Sequence, residues 1–294
     1  YLMQPYDPNR RIIVMLHGLA SSPEAWVELA NEILGDEALR QHYQIWQVYY
    51  PTNMPVALNH AMIRRALGET LTHFDPSGQA PASSDLVLVG HSMGGVIARL
   101  MVSSTDQSLV QLAADHSRLT PQQIRRIDPM LRFEPFPNVS SAIFIAAPHR
   151  GTSVAGGRLG RWMAGFIRFP ITVLEELAHT LTPNAAASSR ESLATIPNSV
   201  NNLDENDPFV RTAADFPSST QVRYHSIVAQ ANAEVALADS DDGLVPYRSA
   251  HLPGAQSEKI IISGHSVQQS AAAVLEIQRI LREDIALREA HFMQ

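Results

Sequence analysis

The chain reads as an α/β protein, with a mostly parallel central sheet flanked by helices. Three observations carry this reading. Short runs such as Arg11-Ile12-Ile13-Val14-Met15-Leu16 and Asp85-Leu86-Val87-Leu88-Val89 are apolar without polar alternation, the pattern of strands buried on both faces. Between such runs lie stretches whose apolar residues recur at helical spacing. The two kinds of segment alternate, so strands are joined by helical crossovers, which are right-handed and make neighbouring strands parallel.

The first strand, Arg11 to Leu16, ends at His17-Gly18. Ser22-Pro23-Glu24 then supplies a cap, a proline at the first helical position and an acid in the first turn. Trp26, Leu29, Ala30, Ile33 and Leu34 follow on one face. Ile45 to Tyr50 is a second strand, stopped by Pro51, and a helix fills about residues 56–73. The strand Asp85–Val89 runs into Gly90-His91-Ser92-Met93-Gly94-Gly95 and an apolar helix through Met101. Later strands are Ala142–Ala146, Val222–Val228 and Lys259–Ile262. A closing helix spans about 267–286, with Val267, Val274, Leu281 and Ile285 on one face.

Two intervals, about 105–137 and 150–220, are too long for ordinary strand–helix connections. The first holds a capping-box start at Thr120-Pro121-Gln122-Gln123. In the second, Leu159, Trp162, Met163, Phe166 and Ile167 share a helical face, with Arg158, Arg161 and Arg168 opposite. Both are expected to be cap or lid insertions on a single domain spanning 1–294.

Composition excludes several classes. The chain has 294 residues, and at that length its core needs no disulfide or metal staple. It has no cysteine, which removes disulfides, thiolate metal sites and cysteine nucleophiles. The 22 basic against 29 acidic residues argue against a nucleic-acid partner. No apolar run approaches the ~18–20 residues of a membrane span. The opening Tyr1-Leu2-Met3-Gln4-Pro5 has neither an initiator methionine nor a signal peptide's apolar core. It reads as a processed or cut end, which slightly favours the bacterial cell envelope or secretion over the cytoplasm.

The chemistry centres on Gly90-His91-Ser92-Met93-Gly94, a G-x-S-x-G pattern between a strand and a helix. Small flanking residues permit a sharp, strained turn that lifts the serine hydroxyl above the sheet. A serine hydroxyl is a weak nucleophile and needs a base, which in turn needs an orienting carboxylate. On such a turn the partners follow in the order Ser, acid, His. Asp242, in Asp239-Ser240-Asp241-Asp242-Gly243, is the expected acid, with Asp241 and Asp239 as rivals; His265, just after the last strand, is the expected base. Oxyanion donors are expected from the backbone N–H groups of Met93 and Leu19. His17 is expected to brace its loop, and His91 to be structural or substrate-lining.

Leu16-His17-Gly18-Leu19, Gly90 to Gly95, Ala147-Pro148-His149-Arg150-Gly151-Thr152, Asp242-Gly243-Leu244-Val245-Pro246 and Gly264-His265 together resemble the α/β-hydrolase superfamily, within it the bacterial lipase and esterase branches. The resemblance runs over about residues 10–285. It implies carboxylic ester hydrolysis through an acyl-enzyme, without a cofactor, on a small-molecule or lipid ester. In the Pro148–Gly151 turn it implies a structural corner. Some lipases of this pattern bind calcium through an aspartate just after the histidine; Ser266-Val267-Gln268-Gln269 offers no carboxylate there, so no metal is expected. Trp162, Met163 and Phe166 are expected to line the acyl pocket from the cap. The arginines opposite them either face water or meet anionic lipid, a peripheral membrane contact. Two rivals share these residues: an acyltransferase on the same triad, and a binding module without activity.

Overall fold

The computed structural model describes residues 1–106, 108–116, 121–153 and 199–292. Six strands form one sheet: β1 (Arg11–Leu16), β2 (Tyr43–Val48), β3 (Leu86–His91), β4 (Val139–Ile145), β5 (Arg223–Gln230) and β6 (Ser257–Ile262). Their order is β2-β1-β3-β4-β5-β6, and every neighbouring pair is parallel. The sequence direction reverses at β1, which pairs with β2 on one side and β3 on the other. In an open parallel sheet, ligands bind outside the carboxyl ends of the strands at such a switch point.

The helices are α1 (Val27–Gly35), α2 (Glu37–His42), α3 (Val56–Phe74), α4 (Pro81–Ser84), α5 (Met93–Met101), α6 (Ser108–His116), α7 (Pro121–Leu131), α8 (Ser199–Asn202), α9 (Pro208–Ala213), α10 (Tyr247–Ala250) and α11 (Ala271–Phe292). They cover both faces of the sheet. Ile12, Val14, Leu16 and Leu88 point into a core shared with Leu67 of α3, Val96 and Ile97 of α5 and Ile127 of α7. The alternate residues Ile13, Met15, Val87 and Val89 pack on Leu29 and Ile33 of α1 and on Ile277 and Leu281 of α11. Side chains alternate between faces along a strand, so both sets must be apolar.

Below the sheet, the buried Arg11 guanidinium lies 2.9 Å from Asp85 and 2.5 Å from Asp284. Tyr43 donates to Asp284 at 2.9 Å and accepts from Arg11 at 2.8 Å. This cluster joins β1, β2 and the lead into β3 to the far end of α11.

Element bounds differ from expectation at several places. β2 starts and stops two residues before the expected Ile45–Tyr50, so Pro51 is not what ends it. β4 and β6 begin earlier than expected, and β5 runs on past Val228. β3 runs two residues further than the apolar run, because Gly90 and His91 keep pairing with Phe144 and Ile145 of β4. Residues 267–269 form a separate 3-10 turn before α11, although Val267 and Val274 still pack in one cluster. Ser22 has the extended backbone of a cap, but its hydroxyl bonds the Glu24 carboxylate rather than the helix backbone, and the first turn, Pro23–Trp26, is 3-10. Of the interval at 105–137, α6 and α7 are the helical parts, α7 starting at Pro121. Trp162, Met163 and Phe166, with Leu159, Ile167, Arg158, Arg161 and Arg168, lie outside the described residues.

Candidate active site

Ser92 stands between β3 and α5 with φ 54° and ψ −124°, a left-handed conformation that costs a non-glycine residue about 1–3 kcal/mol. The turn is held by its glycines. A Cβ on Gly90 would collide with the Gly94 carbonyl, and one on Gly94 with the Leu16 carbonyl. The Ser92 N–H donates to the Ile145 carbonyl at 2.9 Å, and the Ser92 carbonyl accepts from Gly95 at 2.9 Å. The strain is therefore paid by close packing between β1, β4 and α5. Ser92 also sits at the N-terminus of α5, the positive end of its dipole.

His265 and Asp242 meet Ser92 from loops after β6 and β5. His265 Nε2 is 2.8 Å from Ser92 Oγ, and His265 Nδ1 is 2.8 Å from Asp242 Oδ2. A carboxylate only accepts, so in the neutral ring Nδ1 carries the proton and Nε2 is free to accept from the serine hydroxyl. Asp242 is almost fully buried, at 3% exposure. Its Oδ1 accepts the N–H groups of Leu244 at 2.9 Å and Val245 at 2.7 Å, which leaves Oδ2 for the imidazole. The rivals point elsewhere: Asp241 Oδ1 accepts from Gly243 at 2.8 Å, and Asp239 ends an exposed 3-10 turn.

The loop after β1 lies against the serine. A Cβ added to Gly18 would sit a tight 3.1 Å from Ser92 Cβ, so a larger residue there would press on the serine. His17 braces the loop: its ring stacks on Tyr50 at 4.3 Å, and the Tyr50 hydroxyl bonds the His17 carbonyl. Burial pushes the His17 imidazole below its ordinary value, which favours the neutral ring. Leu19, next in this loop, is buried, and Met93 opens α5, where an N–H has no intrahelical acceptor.

The Pro148–Gly151 turn is a corner. Gly151 has φ 76°, and a Cβ there would lie 2.7 Å from Glu205 Cα. The His149 ring is buried edge-on to Phe144 at 5.1 Å. Among the described residues no group of three or more His, Asp or Glu side chains converges as a metal site would, and no helix is long and apolar enough to cross a membrane.

One feature lay beyond sequence reading. His91 Nε2 is 2.8 Å from the backbone carbonyl of His265. A side chain whose partner is a backbone carbonyl far along the chain leaves no residue-type signal.

A family model described as "Alpha/beta hydrolase family" matches residues 13–277. No curated protein matches the chain by sequence. Among solved structures, a lipase of Bacillus licheniformis in its mature form superposes with a TM-score of 0.52 at 18% identity, over 96% of this chain and 97% of that one. A metagenomic carboxyl esterase superposes with a TM-score of 0.52 at 17% identity, over 95% of this chain and 77% of that one. At such identities these neighbours speak to the fold; the family model, spanning most of the sequence, goes further. The chain belongs to the alpha/beta hydrolase family.

Proposed function

We propose that this protein hydrolyses carboxylic esters through a Ser92-His265-Asp242 triad. The observation that carries the proposal is the unbroken hydrogen-bond chain from Ser92 Oγ through His265 to the buried Asp242 carboxylate, 2.8 Å at each link. Ser92 Oγ attacks the acyl carbonyl while His265 Nε2 takes its proton. Asp242 holds the ring in the reactive tautomer and stabilises the imidazolium. The N–H groups of Leu19 and Met93 bind the oxyanion, aided by the positive end of α5. His265 then protonates the departing alcohol, and the same ring activates the water that releases the acid. The substrate class is supported by the lipase and esterase fold neighbours.

The test is hydrolysis of p-nitrophenyl esters of increasing chain length, with and without detergent micelles. The wild type should turn over, and folded Ser92→Ala should lose about 10⁴–10⁶-fold in kcat. A folded Ser92→Ala retaining a tenth of the turnover would refute the mechanism.

A further inference from the structure

We infer that His91 is a positioning residue, tying the loop that carries His265 to the turn that carries Ser92. This inference rests on the hydrolase reading above. His265 follows β6, at the sheet edge, whereas His91 ends β3 and Ser92 follows it, with β4 and β5 between the two strands. The distance between Ser92 and His265 is therefore set by a loop reaching across two strand ends.

The fully buried Val267 holds the loop's far end, and the His265 ring is tied to Asp242. Gly264 is open on its Cβ side, with only the Asp242 carbonyl 3.7 Å away. The Ser263 N–H bonds the Gln230 carbonyl at 3.0 Å, which anchors the loop's beginning. His91 reaches the histidine itself, its Nε2 lying 2.8 Å from the His265 carbonyl. A carbonyl accepts and cannot donate, so His91 must carry its proton on Nε2. Nδ1 is then a bare lone pair, and it is buried without a partner. Gly18 lies beside it, where an added Cβ would be 3.0 Å from Nδ1. The residue preceding the serine thus holds the main chain of the base, while the base's own ring, 5.0 Å from that of His91, reaches the serine.

The tie also suits the charge that the reaction creates. His265 becomes a cation during turnover, and a charged neighbour 5.0 Å away would oppose it. Burial, with the neighbouring His265 and His17 rings adding to it, pushes His91 down to about 3, and the more distant Asp242 carboxylate does not reverse this. His91 stays a neutral donor over the range in which esterases are assayed.

The experiment compares His91→Leu, His91→Asn and His91→Gln with wild type. Each is measured for the rate and stoichiometry of labelling by a fluorophosphonate, and for kcat and KM on a soluble p-nitrophenyl ester. Leucine cannot donate, and asparagine is too short to reach the carbonyl; both should lower the labelling rate and kcat by about 10–100-fold, with KM changed little, since misplacing a reacting group by an ångström costs on that order. Glutamine places an N–H near the position of Nε2 and should restore kcat to within about threefold. Labelling stoichiometry separates misfolding from misplacement: a variant that only folds poorly labels fewer sites at an unchanged rate per site. If leucine destabilises the chain, the asparagine–glutamine pair decides. Per-site rates within twofold of wild type in both His91→Leu and His91→Asn would overturn the inference, as would equal impairment of His91→Gln and His91→Asn. A wild type that neither labels nor turns over would instead overturn the hydrolase reading.

Discussion

At the scale of single residues, the account turns on which carboxylate serves His265. Asp242 gives one oxygen to two backbone N–H groups and the other to the imidazole, while Asp241 bonds the N–H of Gly243. Asp242→Asn should therefore let the wrong tautomer of His265 form and lower kcat by about 10⁴. Asp241→Asn should cost less than tenfold; steady-state kinetics of the two purified variants would show the reverse order if the wrong member of the run has been assigned. The place of these residues was legible because chain order, strand ends and residue type converge on Ser92, Asp242 and His265. The choice among Asp239, Asp241 and Asp242 was less so, since composition does not say which carboxylate a tight turn aims inward. The bond from His91 to a carbonyl 174 residues away was invisible for the same reason, its partner being main chain.

At the scale of elements, periodicity located the strands and most helices, and it failed where packing overrides pattern. Gly90 and His91 read as loop letters, yet they extend β3 because β4 continues alongside them. Val267 fits the face of α11 by spacing but belongs to a preceding 3-10 turn. For the interval at 150–220, the apolar stripe of Leu159, Trp162, Met163, Phe166 and Ile167 supports a proposal that this helix covers the acyl pocket. Each buried methylene contributes up to ~0.8 kcal/mol, so a few of them shift kcat/KM by an order of magnitude or more in favour of medium or long acyl chains over acetate. Replacing Trp162 and Phe166 together with serine should flatten that chain-length profile. Loss of binding to anionic vesicles with an unchanged profile would assign the helix to a membrane surface instead, and a folded double mutant altered in neither property would reduce it to ordinary packing.

At the scale of the whole molecule, the sheet order sets where chemistry can occur, and buried groups set the pH range in which the fold persists. The reversal at β1 brings the Gly18 loop and Ser92 together at the carboxyl ends of adjacent strands. That architecture was readable from alternation alone, but the buried Arg11–Asp85–Asp284 cluster beneath it was not, because ion pairs between distant segments follow no local period. Burial pushes both His60 and His91 down to about 3, whereas the unfolded chain protonates near the ordinary imidazole value of 6.5. Between those limits the unfolded state binds more protons, so these histidines make stability fall as pH drops below about 6.5, by up to ~1.4 kcal/mol per unit for each group. Calorimetry from pH 7 to pH 5 should show a falling Tm, with a shallower slope in His60→Leu, which removes one of these buried histidines without touching the site; an identical slope would show that His60 does not contribute. The central claim, that Ser92 is the nucleophile activated by His265, is tested most directly by treating the intact protein with a fluorophosphonate and locating the adduct by peptide mass spectrometry. The account predicts one adduct per chain, on Ser92, absent from Ser92→Ala and formed far more slowly in His265→Ala. An unlabelled wild type, or an adduct on another residue that survives in folded Ser92→Ala, would contradict it.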